Sequence, residues 1–228
     1  MTALTSHAVY EQLLKKLTSG DYPPGMRLVN RTLAEEMEVS VMPIREALTR
    51  LTSEGLVEHI PGAGAFVREF RGKDIIKLYS FREQLEVFAV HEASDNIQSY
   101  QQRRLEHICQ QAAEIWAAIS AGDPAQPDRK LLRDWLNQDA EFHETIIEAA
   151  DNDWLARAAS SVRMLSHVNR SKPRDTVPVG GEQTLEDHRA IAEAIGNGDG
   201  DEGAEIMRQH ILRAMDHQLH YMEGERGH

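Results

Sequence analysis

The sequence is poor in cysteine, in long apolar runs and in basic charge, and each shortage excludes a class of protein. The single cysteine, Cys109, cannot form an internal disulfide, and within the helical pattern LEHICQQAAEIW we expect a buried, unreactive thiol. No apolar run approaches the roughly 20 residues that a membrane-spanning helix needs. The first residues, MTALTSHAVYEQLLKK, lack the features of a secretory signal. The sequence therefore predicts a cytoplasmic protein without a membrane partner.

Basic charge is scarce throughout the chain. There are 25 Lys and Arg residues against 37 Asp and Glu residues, and the formal net charge is −12 at pH 7. Residues 1–70 hold seven of the basic and nine of the acidic side chains, so most of the negative charge lies further along. Because phosphate neutralisation supplies much of the affinity of DNA-binding proteins, an N-terminal DNA-binding domain would depend on the placement of a few arginines.

A change in hydrophobic pattern near residues 71–73 predicts two domains, residues 1–70 and 73–224, in a chain that is mostly α-helical. In the first domain, Asn30 is a candidate N-cap and Pro43 fits the first turn of a helix. The apolar spacing predicts helices over 7–19, 31–37 and 41–54, then two short strands around the glycine-rich turn at 61–64. Three helices followed by a hairpin is the plan of a winged helix-turn-helix domain.

The second domain reads as an all-α helical bundle. Apolar residues recur at helical spacing with short breaks at Gly122-Asp123-Pro124 and at Gly196-Asn197-Gly198. The pattern predicts six helices, at 74–95, 99–121, 129–150, 152–169, 185–196 and 200–222.

Two sets of spaced motifs resemble a known family. The string from Pro23 to Val67, PPGMRLVNRTLAEEMEVSVMPIREALTRLTSEGLVEHIPGAGAFV, closely resembles the DNA-binding domain of GntR-type regulators. The later motifs FREQLE, DAEFH, DHRAI and MRQHI resemble the FCD ligand-binding domain of the FadR branch of that family. The match covers nearly the whole chain. It implies a DNA-binding transcription regulator, usually a repressor, that binds an inverted-repeat operator as a homodimer and is released by a small carboxylate effector.

The resemblance also implies which residues contact DNA. Arg45, one turn into the recognition helix, is the leading candidate, and Arg31 at the start of the preceding helix is the second. Ser40 and Arg50 belong to the same helix region, and Gly64 would let the wing tip approach the minor groove. The alternative is that Arg31 and Arg45 lie on solvated helix faces, Arg45 in an ion pair.

One position departs from the family pattern. Val41 stands where an arginine usually follows the serine of the turn, and an aliphatic side chain cannot make the bidentate hydrogen bonds that arginine makes to guanine. Either the operator offers an apolar contact such as a thymine methyl, or DNA affinity is reduced. Glu38, where glycine is common, adds a negative charge close to this region.

A second group of polar residues falls on the apolar faces of three helices in the second domain. Asp139 and His143 are four residues apart and so share one helical face, while His188 and His210 lie on apolar stripes of two further helices. Buried imidazoles and carboxylates are costly unless they are paired, and one divalent cation would pair all four. Such a set suits Zn, Ni, Fe or Mn. The alternative for each histidine is a hydrogen-bonded core residue.

Arg82 is the main candidate for effector binding. Its spacing from Leu78 and Leu85 turns the guanidinium toward the bundle core, where a buried charge needs an anion. An effector carboxylate beside the metal would fit the planar guanidinium, and the family resemblance implies that role; the alternative is an internal salt bridge with Glu86. Two further pocket candidates are Arg163 and Asn169.

The preferred interpretation is a regulator and not an enzyme. A metal-dependent enzyme that uses the winged helix as a docking module is the first alternative, but no general base or nucleophile accompanies the metal ligands. The second alternative, suggested by Val41 and the acidic composition, is a regulator that acts through a protein partner.

Overall fold

The computed structural model describes residues 5–170 and 177–226, apart from the side chains of residues 167, 169, 170 and 224–226. The chain divides into two compact units. The first comprises Met1–Arg71 together with Met164–Pro173, and the second comprises Gly72–Arg163 together with Arg174–His228.

The first unit is a winged helix-turn-helix, which confirms the predicted fold class. Its elements are α1 (Ser6–Ser19), β1 (Arg27–Leu28), α2 (Asn30–Glu36), α3 (Val41–Ser53), β2 (Val57–Ile60) and β3 (Gly64–Val67). The predicted hairpin is present, and the two residues of β1 extend it to an antiparallel sheet in the order β1-β3-β2. The predicted Asn30 cap is wrong, because Asn30 is the first helical residue of α2 and the cap position is Val29.

The turn between α2 and α3 contains a backbone conformation that favours glycine. Glu38 has a φ of 54°, and the N–H of the next residue, Val39, donates to the carbonyl of Ala34 at 3.0 Å and so closes the end of α2. A side chain in this left-handed region costs roughly 1–2 kcal/mol. The glutamate therefore holds the turn under strain.

The second unit is an all-α helical bundle, as predicted. Its elements are α4 (Gly72–Asn96), α5 (Ser99–Ala121), α6 (Arg129–Ala149), the first part of α7 (Asp153–Arg170), α8 (Gly181–Asn197) and α9 (Gly200–Arg226). The largest differences from the predicted bounds, four residues each, are the end of α9 and the start of α8. Helix α8 begins on Gly181, where a Cβ would collide with the ring of Trp116. Because glycine has a low helix propensity, the sequence gives little indication that a helix starts there. Among the described residues, no helix combines the length and apolar character needed to cross a bilayer.

Helix α7 is shared between the two units, which the predicted split at residue 73 did not anticipate. Val168 is buried in the core of the first unit, and Met164 and Leu165 pack against that core. The apolar stripes of α1 and α3 contribute much of this core: Val9, Leu13, Leu17, Ile44, Leu48 and Leu51.

The core of the second unit is apolar except at its centre. Helix α4 packs against α6, α8 and α9, and α5 packs against α6 and α8. Large buried residues include Tyr79, Phe142, Ile146, Ile191 and Ile211. Among them lie polar and charged side chains that are almost as deeply buried: Arg82, Glu86, Asp139, His143, Asp187, His188 and His210.

Candidate metal centre and nucleic-acid interface

The four predicted metal ligands come together inside the second unit. Asp139 and His143 project from α6, His188 from α8 and His210 from α9, and one ligand atom from each lies within 4.8 Å of the others. The Nε2 atoms of His143 and His188 both lie 3.8 Å from Oδ1 of Asp139. All four side chains are buried. Three helices thus direct three imidazoles and a carboxylate at one point.

Two further carboxylates hold the histidine rings from outside this cluster. Oδ2 of Asp187 lies 3.2 Å from Nδ1 of His210, in a hydrogen bond. Oε2 of Glu86 lies 2.5 Å from Nδ1 of His143, an ion-pair contact in which the two atoms are not aligned for a hydrogen bond. When Nδ1 carries the proton and faces a carboxylate, Nε2 is left with its lone pair free to bind a cation. The third ring, that of His188, is stacked face to face on Phe142 with centroids 3.9 Å apart.

Burial disfavours the charged form of two of the histidines, His188 and His210. Desolvation, together with the neighbouring imidazoles, holds the pKa of His188 well below its usual value, and desolvation also lowers the pKa of His210. Although burial opposes it, hydrogen bonds from His210, Arg213 and Gln183 lower the pKa of Asp187 to about 2. His188 and His210 are therefore held neutral and Asp187 is held ionised, which is the protonation state that a metal site needs.

A divalent cation fits this donor set. The Nε2 atoms of His143 and His188 are buried and have no hydrogen-bond partner within the described part of the chain, and unsatisfied buried groups of this kind are costly. Two bonds of roughly 2 Å at the tetrahedral angle hold two ligand atoms roughly 3.3 Å apart. The four ligand atoms, which lie within 4.8 Å of one another, would thus move inward to bind one cation.

Arg82 lies beside the cluster with one donor to spare. Its Nε donates to Oε1 of Glu86 at 2.5 Å, so the internal salt bridge considered as an alternative exists. Nη1 of Arg82 is nevertheless buried without a hydrogen-bond partner among the described residues. Burial opposes the charge on Arg82, but the charge and hydrogen bond of Glu86, together with the charge of Asp139 and the contribution of Tyr79, outweigh burial and hold the pKa of the guanidinium above its usual value. A permanent cation with a free donor is suited to an anionic ligand.

The other two predicted effector residues differ in what the structure describes. Arg163 is half-buried, donates from Nη2 to the carbonyl oxygen of Ala140 and interacts electrostatically with Glu86 and Asp139. Burial lowers its pKa. It therefore belongs to the surroundings of the cluster. The side chain of Asn169 lies outside the described residues.

Four of the six predicted DNA contacts line a groove of about 850 Å³ in the first unit. Arg31, Val41, Arg45 and Gly64 all line it. So do Arg27 and His59, and no acidic residue is among the described residues that form its walls. We call this the basic groove; it concentrates positive charge on a unit that is nearly balanced overall.

Arg50 and Ser40 lie outside the lining of this groove. The Arg50 guanidinium sits over the ring of Tyr10, 3.6 Å from its centroid, and its Nε donates to Glu54 at 3.0 Å. Arg50 is thus engaged with α1, at a distance from the predicted reading surface. Ser40 is the N-cap residue of α3, without a side-chain capping hydrogen bond.

Sequence reasoning missed Arg27, because a strand of two residues leaves no alternating pattern. Arg27 lies on β1, beside Phe66 across the sheet, and a Cβ on Gly64 would lie 3.6 Å from its Nε atom. Gly64 therefore lies beside the Arg27 guanidinium.

Comparison with known proteins identifies the family. The model of the FCD domain matches residues 77–213, and the model of bacterial regulatory proteins of the gntR family matches residues 5–67. The chain belongs to the GntR family, in the group with an FCD domain. The FCD domain corresponds to the second unit, which contains the metal-ligand cluster, and the GntR domain contains the basic groove.

Relatives match over most of their length. The uncharacterized HTH-type transcriptional regulator YdhC of Bacillus subtilis is 29% identical, covering 94% of this chain and 89% of its own. The HTH-type transcriptional repressor RspR of Escherichia coli is 25% identical, covering 92% and 87%. The solved structure of McbR/YncC from E. coli shares the fold, with a TM-score of 0.79 and 18% identity over 95% of this chain and 98% of that one.

Family membership settles the class of function. The protein is a DNA-binding transcriptional regulator of the GntR type and not an enzyme. Cys109 is buried and desolvation raises the pKa of its thiol to about 11. The thiol is therefore protonated and unreactive near neutral pH.

Proposed function

We propose that this GntR-family protein is a repressor whose operator binding is controlled by a divalent metal and a small carboxylate held in the FCD domain. The observation that carries the proposal is the convergence of Asp139, His143, His188 and His210 on one buried point, within 4.8 Å of one another. Zinc, nickel, iron and manganese all accept such a set. When bound, the cation supplies positive charge and open coordination positions to which an oxygen ligand can bind.

The charges around the cluster favour an anionic effector. The guanidinium groups of Arg82, Arg163 and Arg213 face the carboxylates of Glu86, Asp139 and Asp187, so the charges of the metal-free site are nearly balanced. A divalent cation adds two positive charges that nothing in this set offsets. A small organic acid would offset them and could hydrogen-bond to the free Nη1 of Arg82.

The basic groove is the proposed DNA-reading surface. Arg45 begins one turn inside α3 and Arg31 lies at the start of α2, so both sit near helix N-termini, where phosphates are favoured. Val41, half-buried at the head of α3, offers an apolar contact of the kind that suits a thymine methyl. Because one winged domain reads about one half-site, we infer a homodimer on an inverted repeat. Its DNA target places its action in the cytoplasm.

Effector and operator are linked thermodynamically in this proposal. A carboxylate can release the protein from DNA only if it binds the DNA-free form more tightly than the DNA-bound form. By reciprocity, operator DNA must then weaken effector binding by the same factor.

The metal assignment is tested on the full chain by metal analysis of purified protein and by thermal unfolding with and without a chelator. We expect a bound divalent ion, and a lower unfolding temperature after its removal, because a ligand of the native state stabilises it. His143→Ala should abolish the chelator effect. His107→Ala, which removes an exposed histidine of α5, is the matched control. If added zinc, nickel, iron and manganese neither bind to metal-free wild type nor raise its unfolding temperature, the metal assignment is wrong.

The DNA assignment is tested by gel shift on genomic fragments, first at low salt and then with a small-carboxylate screen. Arg45→Ala should weaken binding strongly, and Lys15→Ala, on an exposed part of α1, should not. We expect a carboxylate that raises the unfolding temperature also to release the fragment. If wild type retains no fragment even at low salt, the protein-partner alternative replaces direct operator binding.

A further inference from the structure

Glu86 touches both parts of the site at once. Its Oε1 lies 2.5 Å from Nε of Arg82, the candidate anion-binding group, and its Oε2 lies 2.5 Å from Nδ1 of His143, a candidate metal ligand. The exposed fractions of Arg82, Glu86 and His143 are 3%, 1% and 1%. In such a dry environment, charges interact with little screening. A change of charge at Arg82 therefore alters the electrostatic environment of His143, and a change at His143 alters that of Arg82.

We propose that Glu86 is a positioning residue that couples anion binding at Arg82 to cation binding at His143, so that the two ligands bind cooperatively. The inference rests on the proposed function, because it assumes that the cluster holds a metal ion. It goes further by naming the residue through which metal and effector affect each other.

The contact with His143 prepares that ring for a cation. The 2.5 Å contact is not aligned as a hydrogen bond, but the negative charge of Glu86 beside Nδ1 favours the proton on that atom. This tautomer leaves Nε2 as the ligand atom, and the nearby carboxylate makes the imidazole a stronger donor. Nε2 of His143 is buried, without a hydrogen-bond partner within the described residues, and lies 3.8 Å from Oδ1 of Asp139. Removing the charge of Glu86 should therefore weaken the binding of the metal.

The contact with Arg82 carries the influence of the anion. The guanidinium attracts the negative charge of Glu86 away from His143. A carboxylate that binds at the free Nη1 satisfies part of the positive charge of Arg82, so Glu86 acts more strongly on His143 and the cation is held more tightly. By reciprocity, the cation raises the affinity for the carboxylate.

A purely structural salt bridge would behave differently. If Glu86 only neutralises Arg82, its removal destabilises the fold and weakens every ligand together. In the coupling role, Glu86→Gln weakens the metal but leaves the anion bound at least as well in metal-free protein, since Arg82 then lacks its internal partner. The two roles are separated by the direction of the anion effect.

The test uses full-length wild type, Glu86→Gln and Glu83→Gln. Glu83 lies on the same helix and pairs with Arg208 at 3.2 Å, away from the cluster, so it is the matched control. Zinc affinity is measured by competition with a chromophoric chelator, with and without malonate, and malonate affinity is measured calorimetrically on metal-free protein. We expect Glu86→Gln to bind zinc about 10- to 100-fold more weakly, to keep malonate binding and to lose the tightening of zinc by malonate, which in wild type should be at least about fivefold.

Each other result overturns the inference. If Glu86→Gln has the zinc affinity of wild type and the same tightening of zinc by malonate, Glu86 does not couple the two ligands. Parallel loss of zinc and malonate would assign it a structural role. Equal losses in Glu83→Gln would point to a general effect of charge on α4. If wild type itself binds no zinc, the metal part of the proposed function fails first, and that failure is seen without any variant.

Discussion

Nδ1 of His210 lies 3.2 Å from Oδ2 of Asp187, and the same oxygen accepts a hydrogen bond from Arg213 at 2.6 Å. Gln183 donates to the other oxygen of this carboxylate at 3.1 Å. Asp187 is thus fixed from two sides and orients the histidine that α9 contributes to the cluster.

Asp187→Asn should lower metal affinity about 10- to 100-fold, because the amide keeps the shape of the side chain but removes the charge that supports His210. Metal competition against a chelator is the measurement. Asp134→Asn, which removes an exposed carboxylate of α6 paired with Lys130, should leave the affinity unchanged. Unchanged affinity in Asp187→Asn would mean that His210 needs no such support.

Arg27→Ala should weaken DNA binding without altering sequence preference. The guanidinium of Arg27 lines the basic groove next to Gly64 and is placed to contact a phosphate. Loss of one phosphate contact should reduce the slope of log affinity against log salt by about 1. Fragment binding at several salt concentrations measures this slope, with Lys15→Ala as the control. A slope equal to that of wild type would exclude Arg27 from the interface.

Val41→Arg should restore a guanine-reading side chain at the head of α3. We expect tighter binding overall and a new preference for guanine at one operator position, worth about 1–3 kcal/mol. Selection from a randomised half-site library, run in parallel with wild type, measures the preference. Identical selected sequences would show that residue 41 does not reach a base.

Glu38→Gly should stabilise the first unit. Glycine removes the strain at a φ of 54°, roughly 1–2 kcal/mol, but adds freedom to the unfolded chain, so the net gain in free energy of unfolding is about 0.5–1 kcal/mol. Urea unfolding followed by a probe in the first unit measures it. Glu38→Gln keeps the strain and removes only the charge, and should be no more stable than wild type. Equal stability of both variants would mean that the turn relaxes around the glutamate.

The spacing of apolar residues predicted most of the helices and the four candidate metal ligands, because both follow from which face of a helix a residue occupies. The spacing of Asp139 and His143 required them to share an inward face, and the apolar neighbours of His188 and His210 did the same. What spacing cannot give is which helices lie side by side. Glu86 was considered only as a partner of Arg82, because its second contact depends on α4 packing against α6.

The interface residues illustrate the same limit. Arg50 has the spacing of a recognition-helix residue, but the packing of α1 against α3 brings Tyr10 beneath its guanidinium. Arg27 was overlooked because a two-residue strand leaves no alternating pattern to read. The assignment of Met164–Pro173 to the first unit likewise arises from long-range packing of Val168, which local sequence does not encode.

The basic groove belongs to a protein whose net charge is −12. Most faces of such a molecule are repelled by the duplex, and attraction is limited to approaches that present the groove first. Few encounters along the chromosome would then end in unproductive adsorption, and the pool of free regulator available to search for its operator would stay large.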